Sequence, residues 1–185
     1  MIHWNHFLAL EEDLIQISRF IDFSGNSDTY SIEIAKLYLS ACSEIDVVMK
    51  MLCKKVIGNK KIEGINKYYN PITGQFKEFV NFEVTIPKHN LIYQPWKDWT
   101  SNSSPSWWSD YNKVKHQRDT NYEKSNLNNL INSMSGLFVS VLYLYKKQAE
   151  KDGIFDNQKL FRVSKKYQAG SRMGKEGFCF LYKLP

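Results

Sequence analysis

The chain has little of what marks a membrane-spanning, secreted or zinc-stapled protein. Its longest nearly continuous apolar run, Leu137 to Tyr145, is interrupted by Ser140. That is far short of the roughly 20 residues a membrane-crossing helix needs, so no span is expected. Met1 to Leu10 has no basic stretch ahead of an apolar one and no small-residue cleavage site, which argues against a secretory signal and for the cytoplasm. Cysteine is scarce, with Cys42, Cys53 and Cys179 alone. An odd number without CxxC spacing supports neither a disulfide framework nor a structural metal, and leaves them as small buried apolar residues.

Basic residues are scarce at one end of the chain and acids at the other. Residues 1–48 hold eight acids against Arg19 and Lys36, a net −6 in a chain whose total is +6, so the remainder carries about +12. Much of that sits in a tail with Lys159, Arg162, Lys165, Lys166, Arg172, Lys175 and Lys183. A basic surface of this kind suits an anionic partner, nucleic acid first. The acidic N-terminal helices are expected on the opposite face.

At 185 residues the chain has the length of one domain with a core of its own. Ile34, Leu37, Tyr38, Ala41, Ile45, Val48, Met49 and Leu52 recur at spacings of three and four before Gly58, which predicts an amphipathic helix over residues 29–57. The same spacing in Leu127, Leu130, Ile131, Met134, Leu137, Phe138, Val141, Leu144 and Tyr145, behind a capping box of Thr120 and Glu123, predicts a helix over 121–150. Phe7, Leu10, Leu14, Ile17 and Ile21 predict another over 5–23. Ser104 as cap and Pro105 at the first turn predict a shorter one over 105–118. Residues 68–100, with Pro71, Pro87, Pro95, a turn-like Asn70-Pro71-Ile72-Thr73-Gly74 and the alternating Phe82 to Ile86, read as a β-containing insert. Residues 159–185 read as a hairpin of strands Lys159 to Tyr167 and Phe178 to Leu184, turning at Ala169 to Gly174, that pairs with the insert. The expected fold is mainly α, a four-helix up-down bundle with a small β insert and a C-terminal β hairpin.

The helix over 105–118 is the chemically dense one. On it Trp108, Asn112 and His116 follow at i, i+4 and i+8, and Tyr111, Lys115 and Arg118 line the neighbouring stripe. An imidazole, an amide and two cations suit a phosphodiester handled without a metal or other cofactor: His116 and Asn112 as catalytic residues, with Lys115, Arg118, Tyr111 and Trp108 binding substrate. Glu44 and Asp46 on the second helix are carboxylates placed to orient His116 or Lys115, and fit equally well as ordinary helix-surface charges. The whole segment also fits a structural role, with Trp107 and Trp108 as core anchors and the lysines snorkelling. His3, His6 and His89 have no visible partner. The aromatics of the tail, Phe161, Tyr167, Phe178, Phe180 and Tyr182, alternate with cations as in a base-stacking platform, or in a hairpin with a charged outer face.

The stretch Trp107-Trp108 through Tyr111-Asn112-x-x-Lys115-His116-x-Arg118 resembles bacterial proteins of the HEPN-like helical class. Ser43-Glu44-Ile45-Asp46 with Lys50 and Leu52-Cys53, then Ile86-Pro87 and Pro95-Trp96, extend the resemblance over roughly residues 30–148. It implies a helical bundle that dimerises, and a metal-independent ribonuclease of toxin, defence or RNA-processing systems with RNA as partner. The family signature is an Arg, a polar residue, three variable positions and a His. Here Asn112 and His116 match, and Tyr111 stands where the Arg belongs. The expectation is therefore a degenerate or weak ribonuclease, with the non-cleaving form ranked first. The alternative is a non-enzymatic antitoxin-like or scaffold module using the Trp-rich helix as its protein interface.

Overall fold

A computed structural model describes residues 1–59, 61–154, 158–174 and 177–185; Lys175 of the basic tail lies outside them. The centre of the fold is a pair of long helices, α2 (Ile32–Ile57) and α6 (Leu127–Leu144). They run parallel. Their beginnings are tied by a bridge between Tyr30 and Asn126, with Leu127 N–H donating to the Thr29 carbonyl at 2.9 Å. Their far ends are tied by the Lys55 ammonium donating to the Leu144 carbonyl at 2.7 Å. Around this pair pack α1 (Ile2–Ile17), α3 (Ile65–Gln75) and α4 (Ser106–His116). Two short helices, α5 (Arg118–Asn121) and α7 (Lys146–Lys151), flank α6.

The long helices begin and end for local reasons. Ser31 caps α2, its hydroxyl accepting from Ile34 N–H at 3.2 Å, and Gly58 ends it at φ 75. Glu33 in the first turn and Lys54 and Lys55 in the last oppose the helix dipole. In α6 the Asn126 side chain accepts from Asn129 N–H at 3.0 Å. The Thr120–Glu123 box predicted as its start belongs instead to α5 and a 3₁₀ turn at Tyr122–Lys124. Tertiary contact with Tyr30 makes the later residue the cap.

Nearly every residue of α6 is buried, because neighbours cover it all round. Its hydroxyls turn back on the helix: Ser133 donates to the Leu130 carbonyl at 2.8 Å and Ser140 to that of Gly136 at 2.7 Å. By length and composition α6 passes for a short membrane span, but 89% of it lies inside the fold. Gly136 is needed for close approach, since a Cβ there would sit 3.2 Å from the Trp107 ring.

Several expectations about the rest are corrected. Residues 65–75 form α3 rather than part of a β insert, with Pro71 inside the helix. Burying Ile65, Tyr68 and Ile72 along one face offsets the lost hydrogen bond at Pro71. The insert's strands are only β1 (Val84–Ile86) and β2 (Leu91–Tyr93), joined through a 3₁₀ turn and Asn90 at φ 53. The C-terminal hairpin exists, but its strands are β4 (Gln168–Gly174) and β5 (Gly177–Tyr182), so the stretch read as its turn is itself a strand. Pairing with the insert comes from a separate two-residue strand, β3 (Arg162–Val163), in the order β2-β1-β3. The first helix also ends earlier than predicted, at Ile17.

The acidic N-terminus and the basic tail are neighbours, not opposite faces. Glu11, 1% exposed, accepts the backbone N–H groups of Lys159, Leu160 and Phe161 at 2.8, 2.8 and 3.0 Å. Burial pushes its carboxyl above the usual range, against the pull of those donors and of Arg162. Beside it Glu12 pairs with the Lys159 ammonium at 2.7 Å.

Candidate nucleic-acid interface

One side of α4 is an anchor. Trp107, Trp108, Tyr111 and Val114 are buried. The Trp107 indole donates to the Pro95 carbonyl at 2.7 Å and packs edge-on against Trp96 at 5.2 Å, and Tyr38 donates its hydroxyl to the Trp107 carbonyl. Tyr111 lies edge-on to the Tyr38 ring. The expected aromatic surface of Trp107, Trp108 and Tyr111 is thus absorbed into the core. The two indoles, 2% and 6% exposed, offer a partner no aromatic surface of their own.

Burial, then nearby Cys42 and Asp46, pushes the Tyr111 phenol up to about 12. At neutral pH it is uncharged and cannot stand in for the Arg of the signature. The other side of α4 is open: Asn112, Lys115 and His116 are exposed, and Arg118 is exposed at the start of α5. Helix α4 breaks at Gln117, whose φ of −143 and ψ of 57 turn the chain before Arg118. The side chains of Asn112, His116 and Arg118 make no hydrogen bond or ion pair with any described residue. The Lys115 ammonium lies 5.6 Å from the centre of the Tyr111 ring.

Of the eight residues singled out from the sequence, five line one depression of about 710 Å³: Trp108, Tyr111, Asn112, Lys115 and Asp46. Its other wall is the middle of α2, from Ser43 to Lys50, with Glu63 ahead of α3 and Lys67 in its first turn. Asp46 holds Lys50 at 2.6 Å and accepts from the Tyr68 hydroxyl at 2.9 Å; the hydrogen bond to Asp46 holds the Lys50 ammonium above its ordinary range. Asp46 thus orients Lys50 and Tyr68 in the groove wall, and it bonds neither His116 nor Lys115.

His116 lies outside this lining because it sits further round the helix than Asn112. Glu44 is elsewhere, facing α1. The Nδ1 atoms of His3 and His6 lie 2.6 and 3.1 Å from its oxygens. Those two histidines were missed, although their i, i+3 spacing puts them on one helix face. His89 was missed too; it stacks on Phe23 at 4.4 Å between ring centres, with Asp22 3.9 Å from Nδ1.

The tail's cations are largely committed. Lys159 pairs with Glu12, Lys166 with Glu83 at 3.8 Å, and Arg162 and Arg172 donate to the carbonyls of Gln158 and Asp152, both at 2.6 Å. Phe161, Tyr167 and Tyr182 of the expected stacking platform are buried. Among the described residues no three His, Cys, Asp or Glu side chains converge to hold a metal. No family model, curated protein or solved structure matches this chain.

Proposed function

We propose that this chain is an HEPN-like helical protein, with α1, α2, α4 and α6 as its bundle, that binds RNA through the open side of α4 without efficiently cleaving it. One observation carries the reading: Asn112, Lys115, His116 and Arg118 are all exposed at one end of α4, while the residue in the signature's Arg position, Tyr111, is buried and uncharged. The exposed set has what phosphate binding asks for, namely cations and an amide without protein partners. It lacks a second charged group fixed beside the imidazole, which the chemistry of a general acid–base pair requires. The toxin or defence setting follows from the resemblance alone. A homodimer, also implied by the resemblance, has to use a surface other than Trp107, Trp108 and Tyr111.

The test is a labelled single-stranded RNA incubated with the purified chain in chelator, scored for both binding and cleavage. Expected is binding that weakens steeply with salt, because lysines and arginines release counterions from phosphates, and little or no cleavage by the native chain. Any residual cleavage should fall about 10²- to 10⁴-fold in His116→Ala, the range for loss of a general acid or base. Efficient cleavage by the native chain, measurable cleavage that His116→Ala leaves unchanged, or binding indifferent to salt overturns the reading. Tyr111→Arg, checked first by thermal melting because position 111 is buried, asks whether the missing cation silences cleavage.

A further inference from the structure

We infer that the nucleic-acid path is a groove lined by lysines that leaves α4 and runs along the end of α2, and that it takes a single strand. The inference rests on the RNA-binding reading above and names the substrate form and the residues that track it. The depression beside α4 adjoins a second, of about 510 Å³, and the two share Lys50 and Glu63. Lys115 and Lys67 line the first, Lys54 and Lys61 the second. Five lysines thus face two carboxylates, Asp46 and Glu63, over four separate chain segments that meet only in the folded protein.

The two carboxylates are not idle. Asp46 holds Lys50 at 2.6 Å, and Glu63 lies 3.6 Å from the Lys61 ammonium. Lys54, Lys67 and Lys115 pair with no carboxylate among the described residues. The free lysines supply the standing attraction for phosphate, and Glu63, beside the exposed Lys61, competes weakly with it. Asn112 and Asn66 in the first depression and Asn59 in the second offer amide donors and acceptors to bases. A cationic groove that tracks a backbone is how single strands are held without sequence preference.

The experiment measures binding of 4-, 8- and 12-nucleotide single-stranded RNAs and a 12-base-pair duplex to the full chain between 50 and 200 mM salt. The variants are Lys54→Ala, Lys67→Ala, Lys115→Ala and Glu63→Gln. The native chain should prefer the single strand and gain affinity with length. Lys54→Ala and Lys67→Ala should each lower affinity about 3- to 10-fold and reduce the slope of log K against log salt by about 0.7, one phosphate contact on a single strand. Glu63→Gln should tighten binding about 3-fold by releasing Lys61, a gain that loss of a structural ion pair does not produce. If Lys115→Ala weakens binding while Lys54→Ala, Lys67→Ala and Glu63→Gln leave it unchanged, the path is overturned and the α4 reading stands. Equal affinity for duplex and single strand overturns the single-strand form. No salt-sensitive RNA binding by the native chain overturns the α4 reading, and the path with it.

Discussion

Two regions of this molecule are rich in lysine and arginine, and they behave differently. In the C-terminal segment, Lys159, Arg162, Lys166 and Arg172 are turned onto Glu12, Glu83 and backbone carbonyls, and the segment itself is held by the Glu11 carboxylate. Along α4 and the adjoining end of α2, Lys54, Lys67, Lys115 and Arg118 are exposed and pair with no described carboxylate. The first region is the denser in sequence. A charge counted along the chain thus says little about whether it is available; that depends on whether folding brings an acid or a carbonyl to it. Glu12 takes Lys159, Glu83 takes Lys166 and two carbonyls take the arginines, so of the described tail cations only Lys165 and Lys183 are left exposed without a partner.

The comparison breaks most visibly at its buried carboxylate. Glu11→Ala leaves three backbone N–H groups without their acceptor, and should cost about 3–5 kcal/mol, since each buried donor left unsatisfied costs about 1–3 kcal/mol. Chemical denaturation checks this, and RNA affinity measured below the new melting point should be unchanged. If affinity falls with the anchor, the tail is part of the interface and the contrast fails.

Next come the cations themselves. Lys115→Ala and Arg118→Ala should each reduce RNA affinity about 3- to 10-fold, with a shallower salt dependence. Lys159→Ala, which removes a cation already paired with Glu12, should leave affinity within a factor of about 2, and an exposed ion pair of this kind adds little to stability. Comparable losses for Lys159 and Lys115 would show that pairing does not decide availability here.

A smaller effect tests what holds the two regions in place. Asn126→Ala removes the cap of α6 and should cost about 1 kcal/mol in denaturant melts, without altering the salt dependence of binding. The smallest concerns His89, whose imidazole is 9% exposed and held below its ordinary range, chiefly by burial and then by Lys88, with Asp22 opposing. A histidine depressed in the fold takes up protons in the unfolded chain first. Its stabilising share is therefore full above about pH 6.5 and is lost as pH falls below that value. The native chain should lose about 1–2 °C more in Tm than His89→Gln between pH 7.5 and 5.5. Equal shifts would place the titration elsewhere.

Much of the helical frame was legible. The three-and-four spacing from Ile34 to Leu52 marks α2 to within a few residues at its start, and Gly58 marks its end. The burial of Trp107 and Trp108 was one of two arrangements open from the sequence, because a helix with two indoles is consistent with both a core and an interface. The exposure of His116 and Lys115 beside buried Tyr111 follows helical periodicity, which assigns sides once the anchoring side is known. His3 and His6 were not legible, because their partner Glu44 lies about 40 positions away. Nor was the groove, whose lysines belong to α2, the loop after it, α3 and α4.

By itself, then, the sequence determined what local chemistry controls: the periodic apolar faces of α1, α2 and α6, the stop at Gly58, and the placing of Trp107 and Val114 on one side of α4 and Lys115 on its edge. Only the tertiary structure decided the rest. Packing of Tyr68 and Ile72 made a helix of a segment carrying Pro71, and contact with Tyr30 moved the cap of α6 to Asn126. The meeting of α1 with the tail gave Lys159 a carboxylate in Glu12 and tied the backbone from Lys159 to Phe161 to Glu11. Periodicity acts over a few residues and is written in their order, whereas a proline's cost, a cap's location and a charge's availability depend on neighbours that folding brings from up to about 150 positions away.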